Sequence, residues 1–318
     1  MWKSDENEDS SQNGTWQKYR VRSFFRCFSI STALEDLSGA EIVFVLNEST
    51  FLLDNKKTII SEKFDEDDIN MISSLNPDLI ICDSYRADSL YIRKLGLVAR
   101  LILFDDNNDL HEKVYADILI NGNLYATDLN YDFAKETTIK LLGPQYLAMK
   151  PEYWNEQLQN SRGEGILVTT GGSDPHRLMP KFIAKLKELP IKKRIIIGPA
   201  YEEEEILEIK KIVSDSFEII HKPRSLKKYI EQSKIVLTAA STTVYEVLTL
   251  RKIPIIYSVA KNQIMLENTL KNYGVKSLGW YEEINWEKFG EEIKMVLCKL
   301  SYFREKLNKL YCKFDTKG

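Results

Sequence analysis

The residues with the most chemical content lie between Ser241 and Gln263. Ser241-Thr242-Thr243 makes a hydroxyl-rich loop that opens a helix. Glu246 follows one turn on, and beyond an apolar strand at 253–257 comes the polar pair Asn262-Gln263. Hydroxyls and unbonded backbone N–H groups at a helix N-terminus suit a phosphate, because free donors and the helix dipole act together. A carboxylate one turn further on can accept from both hydroxyls of a ribose. Together these residues describe a pocket for a nucleoside diphosphate. Ser-Thr-Thr alone would describe an ordinary N-capped helix equally well, but that plainer reading leaves the Glu spacing and the Asn-Gln pair unexplained.

Other polar clusters sit where apolar runs end. Gly171-Gly172-Ser173-Asp174 follows one such run. Glycines there let backbone approach a ligand and adopt φ > 0, although a tight strand-to-helix turn with Pro175 at the helix start fits as well. Two glycines fall short of the three-glycine dinucleotide pattern. Asp105-Asp106 ends another run. Adjacent strand residues point to opposite faces, so a shared-proton dyad is not expected; one acid is expected to cap the following loop and the other to face the cleft. Asp83 and Tyr85 flank Ser84 at a third run and share a side. His111 is a general base if it faces the site and a plain loop residue otherwise. Asp83, Tyr85, Asp106 and His111 are therefore the candidate catalytic groups. Gly171, Gly172, Ser173, Asp174, Ser241, Thr242, Thr243, Glu246, Asn262 and Gln263 are the candidate substrate-binding groups.

These clusters need elements to position them. The chain alternates apolar runs and helical patterns. Helices are expected at 26–37, 65–75, 87–95, after Pro175, at 202–213, at 225–232 with Ser225 as cap, and from 282 to the end. Strands are expected at 41–46, 78–82, 100–104, 117–120, 138–142, 165–170, 194–197, 217–220, 235–239 and 253–257. The runs at 78–82 and 100–104 read as parallel strands buried on both faces. Residues 1–20 are polar and read as disordered. The glycine-, proline- and amide-rich stretch from 143 to 165 marks a boundary. The expected organisation is 21–150, a Rossmann-like domain, and 151–318, a Rossmann-like nucleotide-binding domain with terminal helices. The fold class this alternation predicts is α/β, with two Rossmann-like sheets facing across a cleft.

Bulk properties narrow the function class. The chain has 318 residues, 43% hydrophobic and 29% charged, with a formal net charge of −3. Those values fit a soluble globular protein and argue against a nucleic-acid-binding body. No apolar run approaches the length of a membrane span, and the N-terminus has no apolar signal core, so a cytoplasmic location is expected. The four cysteines and three histidines are scattered without metal-ligand or disulfide spacing, so no metal and no cofactor are expected. The sequence leaves the oligomeric state open.

With these residues laid out, the chain resembles the PseG/SpsG family, the nucleotide-sugar hydrolases of pseudaminic acid synthesis and their spore-coat polysaccharide relatives. More distantly it resembles MurG-type glycosyltransferases of the GT-B fold. The resemblance rests on Asp83-Ser84-Tyr85, on Asp105-Asp106 with His111, Ala116-Asp117 and Asn121, and on Leu142-Gly143-Pro144-Gln145-Tyr146. It continues through Gly171-Gly172-Ser173-Asp174, Ser241-Thr242-Thr243-Val244-Tyr245-Glu246 and Asn262-Gln263. It implies a GT-B-like fold in which 21–150 serves the sugar or acceptor, and a UDP-sugar ligand, with Ser241 to Thr243 near the pyrophosphate, Glu246 near the ribose and Gln263 near the diphosphate or sugar. The implied reaction is hydrolysis, in which water attacks the anomeric carbon and UDP leaves.

The chain departs from that family at one place. Relatives carry a loop of the type Gly-x-Gly-His-x-x-Arg-Cys, whose His is taken as the base. Here Arg26-Cys27 remain, Ser23 stands at the His position and Arg22 replaces the neighbouring glycine. A serine hydroxyl is no base near pH 7 without another base to activate it. His111, Asp83 or Asp106 would have to substitute. The alternatives are a glycosyltransferase with a UDP-sugar donor and an inactive relative that binds a nucleotide sugar or a partner protein.

Overall fold

A computed structural model describes residues 13–47, 56–61, 63–109, 112–154 and 163–314. The chain divides into two compact units whose main segments are Tyr19–Pro151 and Glu152–Lys317.

The first unit contains α1 (Asn13–Ser38), β1 (Val43–Leu46), β2 (Lys57–Ile60), α2 (Glu66–Ser74), β3 (Leu79–Cys82), α3 (Ser89–Val98), β4 (Arg100–Phe104), β5 (Ile118–Asn121) and β6 (Ile139–Leu142). β1 and β2 pair in parallel, and β3, β4, β5 and β6 form a second parallel sheet in chain order. Local chemistry starts the helices. The Asp65 side chain accepts the N–H groups of Asp67 and Asp68 at the start of α2, and Asp88 accepts that of Tyr91 in α3, each satisfying a donor that has no partner within the helix. Ile92 and Leu95 of α3 pack on Leu101, Leu103 and Leu119 of the sheet. Cys82 lies opposite Leu103, Phe104 opposite Ile120, and Asn121 opposite Leu142. The strands therefore end nearly level, and the polar residues that follow them share one edge.

The second unit runs β7 (Ile166–Thr169), α4 (Leu178–Leu186), β8 (Lys193–Ile197), α5 (Glu203–Ile212), β9 (Phe217–His221), α6 (Lys227–Glu231), β10 (Ile235–Ala239), α7 (Thr242–Thr249), β11 (Ile253–Ser258), α8 (Ile264–Asn272), β12 (Lys276–Trp280), α9 (Phe289–Cys298) and α10 (Leu300–Tyr311). Its strands form one six-stranded parallel sheet in the order β12-β11-β10-β7-β8-β9. Every residue of β7, β8, β10 and β11 is buried, as expected where helices cover both faces and the strands are aliphatic runs. The chain winds outward from β7 in one direction and restarts at β10 in the other. The order therefore reverses between these two neighbours.

Three expectations need correction. Residues 13–20 of the segment read as disordered are helical backbone, because α1 begins at Asn13; residues 1–12 lie outside the described set. The strand at 78–82 is not buried on both faces: β3 is an edge strand of its sheet, with Leu79 39% exposed and only Cys82 buried. Finally, β2, α8 and β12 were not expected. β2 opens on a lysine, α8 is broken by Asn268 and Asn272, and β12 carries Gly279 at φ +84°, so none shows a clean apolar period.

Candidate functional site

In the first unit the level strand ends gather Asp83, Ser84 and Tyr85 after β3 and Asp105 and Asp106 after β4. Asn121 closes β5, with Asn123 two residues on. Arg26 of α1 reaches into this edge and organises it. Its Nε and Nη2 donate to the two Asp83 oxygens at 2.7 and 2.6 Å, and its Nη1 donates to both Asp106 oxygens at 2.8 and 3.0 Å. The guanidinium also lies over the Phe104 ring, 4.8 Å from its centre. The Arg26, Asp83 and Asp106 side chains are almost wholly buried. Burial works against the Arg26 charge, but Asp106 and Asp83 overcome it and raise its pKa well above the ordinary value. The Tyr85 hydroxyl and the Asn123 amide also donate to Asp106. Asn123 is held in turn by Asn121, and Asn121 bonds the Tyr131 hydroxyl.

Asp105 has a different task. Its Oδ1 accepts the N–H groups of Asn107 and Asn108, both at 2.8 Å, which fastens the loop as an Asx turn. Burial raises its pKa, against the pull of those two amides. Its Oδ2 is buried and has no partner among the described residues. Ser23 lies one turn before Arg26 on α1, with a buried hydroxyl that likewise has no partner among the described residues. His111 lies outside the described residues.

In the second unit the polar clusters line the carboxyl edge of the sheet. Gly171 to Asp174 follows β7, Ser241 to Thr243 follows β10, and Asn262-Gln263 follows β11. The first two flank the point where strand order reverses. Gly171 adopts φ +96°, a conformation open to glycine, and a Cβ on Gly172 would meet nothing within 4 Å. Ser241, Thr242 and Thr243 are half-buried, and Ser241 makes no side-chain capping bond to α7. Glu246 is buried one turn inside α7, beside the hydroxyl of the wholly buried Tyr153. Burial first, and Glu246 second, push the Tyr153 pKa up.

Not every candidate is turned toward a ligand. Both Asp174 oxygens accept backbone N–H groups of α4, from Leu178 at 2.9 Å and Met179 at 2.7 Å. Asp174 therefore anchors the helix, and burial raises its pKa. Gln263 is buried with Oε1 on the Val259 N–H at 2.9 Å, whereas Asn262 is exposed. The sequence reading missed several participants. Asn123 lacked a strand to mark it. Gly198 follows β8 and packs against the carbonyl oxygens of Gly171 and Gly172, so a Cβ there would come within 2.4 Å of both. Glu267 is buried and accepts from Ser258 and Ser277, and only recognition of α8 could have found it.

The fold is that of the GT-B glycosyltransferases. The chain is similar to MurG of Acinetobacter baumannii, with a TM-score of 0.61 and 12% identity over 92% of this chain and 90% of that one. It is similar to Arabidopsis thaliana UGT89C1 complexed with UDP-L-rhamnose, with a TM-score of 0.57 and 12% identity over 91% and 90% of the two chains. In sequence it is similar to the Bacillus subtilis spore coat polysaccharide biosynthesis protein SpsG, at 23% identity over an alignment of 212 residues that covers 64% of this chain and 62% of SpsG. An uncharacterised protein of Methanocaldococcus jannaschii is 24% identical over an alignment of 243 residues that covers 71% of this chain and 50% of that protein. The matched region thus spans about half to three fifths of these relatives' lengths. No family model matches the chain. The structural likenesses show the GT-B fold, and the sequence likeness is a distant one to SpsG.

Proposed function

We propose that the chain is a nucleotide-sugar enzyme of surface polysaccharide or nonulosonic acid synthesis that holds UDP on the second unit. The observation that carries this reading is the reversal of strand order between β7 and β10, flanked by the loops Gly171 to Ser173 and Ser241 to Thr243. In open α/β sheets, ligands bind beyond the carboxyl ends of the strands at such a reversal. The Ser241 side chain leaves the first N–H groups of α7 to other partners, as a pyrophosphate site needs. The similarity to SpsG and to a UDP-L-rhamnose complex points the same way.

The favoured reaction is hydrolysis. Water attacks the anomeric carbon and gives its proton to His111, the candidate base not tied to Arg26, while the bond from that carbon to the β-phosphate oxygen breaks and UDP leaves. Its charge is met by the hydroxyls and N–H groups at the start of α7. Glu246 accepts from the ribose, and Gln263 steadies the loop after β11. The first unit handles the sugar. There Asp83 and Asp106 act as fixed charges tied to Arg26 rather than as bases.

That tie, together with serine at position 23, favours a second reading, an inactive relative that binds without turnover; the third is a glycosyltransferase, in which an acceptor hydroxyl replaces water and needs a base just as water does. Incubating the protein with UDP-sugars and following UDP release separates them. Release without acceptor supports the hydrolase, release only with acceptor the transferase, and binding without release the inactive relative. Calorimetry with UDP that shows no binding would sink all three.

A further inference from the structure

The strand ends of the first unit enclose a small cleft of about 30 Å³, lined by Arg26, Asp83, Ser84, Tyr85, Asp105, Asp106 and Asp109 among others. One cation faces four acids. Arg26 is shared between Asp83 and Asp106, which leaves Asp105 and Asp109 without a cation of their own in the lining. Asp105 is only 8% exposed. Its Oδ1 is held by the loop amides, and its Oδ2 is the buried oxygen with no partner among the described residues.

Every feature asks for a donor, and excess negative charge asks for a positive one. A phosphate or carboxylate would be repelled. A metal ion fits poorly, because among the described residues no three His, Cys, Asp or Glu side chains converge on one point. We propose that this cleft receives a protonated primary amine carried on a sugar, with Asp105 and Asp109 as its acceptors. The inference rests on the reading that the first unit handles the sugar, and it narrows that sugar to an amino sugar.

The test titrates the full chain with D-glucosamine, N-acetyl-D-glucosamine and D-glucose, followed by ligand-observed NMR. A separate UDP titration reports on the second unit alone, so failure of the amine site and failure of the nucleotide reading are distinguishable. The amine is expected to bind about tenfold more tightly than either neutral sugar, the scale of one charge-assisted pair. Asp105→Asn and Asp109→Asn should each remove most of that preference. Asp109 is exposed, so its variant carries the test should Asp105→Asn fail to fold. Equal binding of the three sugars, or an amine preference that survives Asp109→Asn unchanged, overturns the proposal.

Discussion

Arg26 grips Asp83 at two points, Nε on Oδ2 at 2.7 Å and Nη2 on Oδ1 at 2.6 Å, and uses its remaining nitrogen for Asp106. A single guanidinium thus fastens α1 to the ends of β3 and β4. Removing one member of a buried charge pair strands the others, which costs about 3–5 kcal/mol. Arg26→Ala should lower unfolding stability by that amount in urea titrations. Arg26→Lys should restore only part of it, because an ammonium cannot fork across two carboxylates. An alanine variant with the parent's midpoint would show that the clamp does not hold the unit together.

Asp105 gives a pH signature of definite sign. Its folded-state pKa lies above the ordinary value because burial disfavours the charge. Its contribution to stability is therefore complete below the ordinary aspartate pKa and is lost as pH rises through the raised value. Asp105→Asn keeps the Oδ1 acceptor for the loop amides and carries no charge. Relative to the parent it should gain stability as pH rises from acid to neutral. Thermal denaturation across that range checks the direction, and a difference that stays flat with pH removes the assignment.

The glycines of the second unit make contrasting predictions. A Cβ on Gly198 would come within 2.3 Å of the Gly172 carbonyl oxygen, so Gly198→Ala should cost about 1–3 kcal/mol through overpacking. Gly172→Ala meets open space and should leave stability within about 0.5 kcal/mol of the parent, as at unconstrained surface positions. If a diphosphate lies along this loop, the same substitution should weaken UDP binding about tenfold or more by holding the backbone off the ligand. Calorimetry beside a denaturation curve reads both numbers.

Glu246 is tested by the ligand rather than by the fold. Glu246→Gln should weaken UDP about tenfold, the scale of a lost charge-assisted hydrogen bond. It should also narrow the gap between UDP and 2′-deoxyuridine diphosphate. Equal affinity of the parent for the two nucleotides argues against a ribose contact.

Most of the second unit was legible because its strands are long apolar runs with polar residues at their ends. β7, β10 and β11 each appear in the sequence as an aliphatic block followed by glycine, hydroxyl or amide residues. The edges of both sheets were harder. β12 borders solvent, so its composition is mixed and its period weak, whereas β3 showed as a strand through its apolar run and only its burial was overstated. The Arg26 clamp was invisible for another reason. Its partners lie 57 and 80 residues away, and nothing local in Arg26-Cys27 marks a side chain that must reach two strand ends. Asp105 and Asp106 fall between. Strand alternation foretold that one would fasten the loop, as Asp105 does, but not that Asp106 would be buried against Arg26 with both acids lining the same small cleft.

The carbonyls of Gly171 and Gly172 face Gly198, and the Ala200 N–H bonds the Gly172 oxygen at 2.9 Å. Thr170 and Tyr201 join the same two turns through their hydroxyls. The turns after β7 and β8 are therefore stitched into a single lip, and neither can swing independently. Whatever settles against one must drag the other along or leave both at rest, and amide exchange in the two stretches should slow in concert.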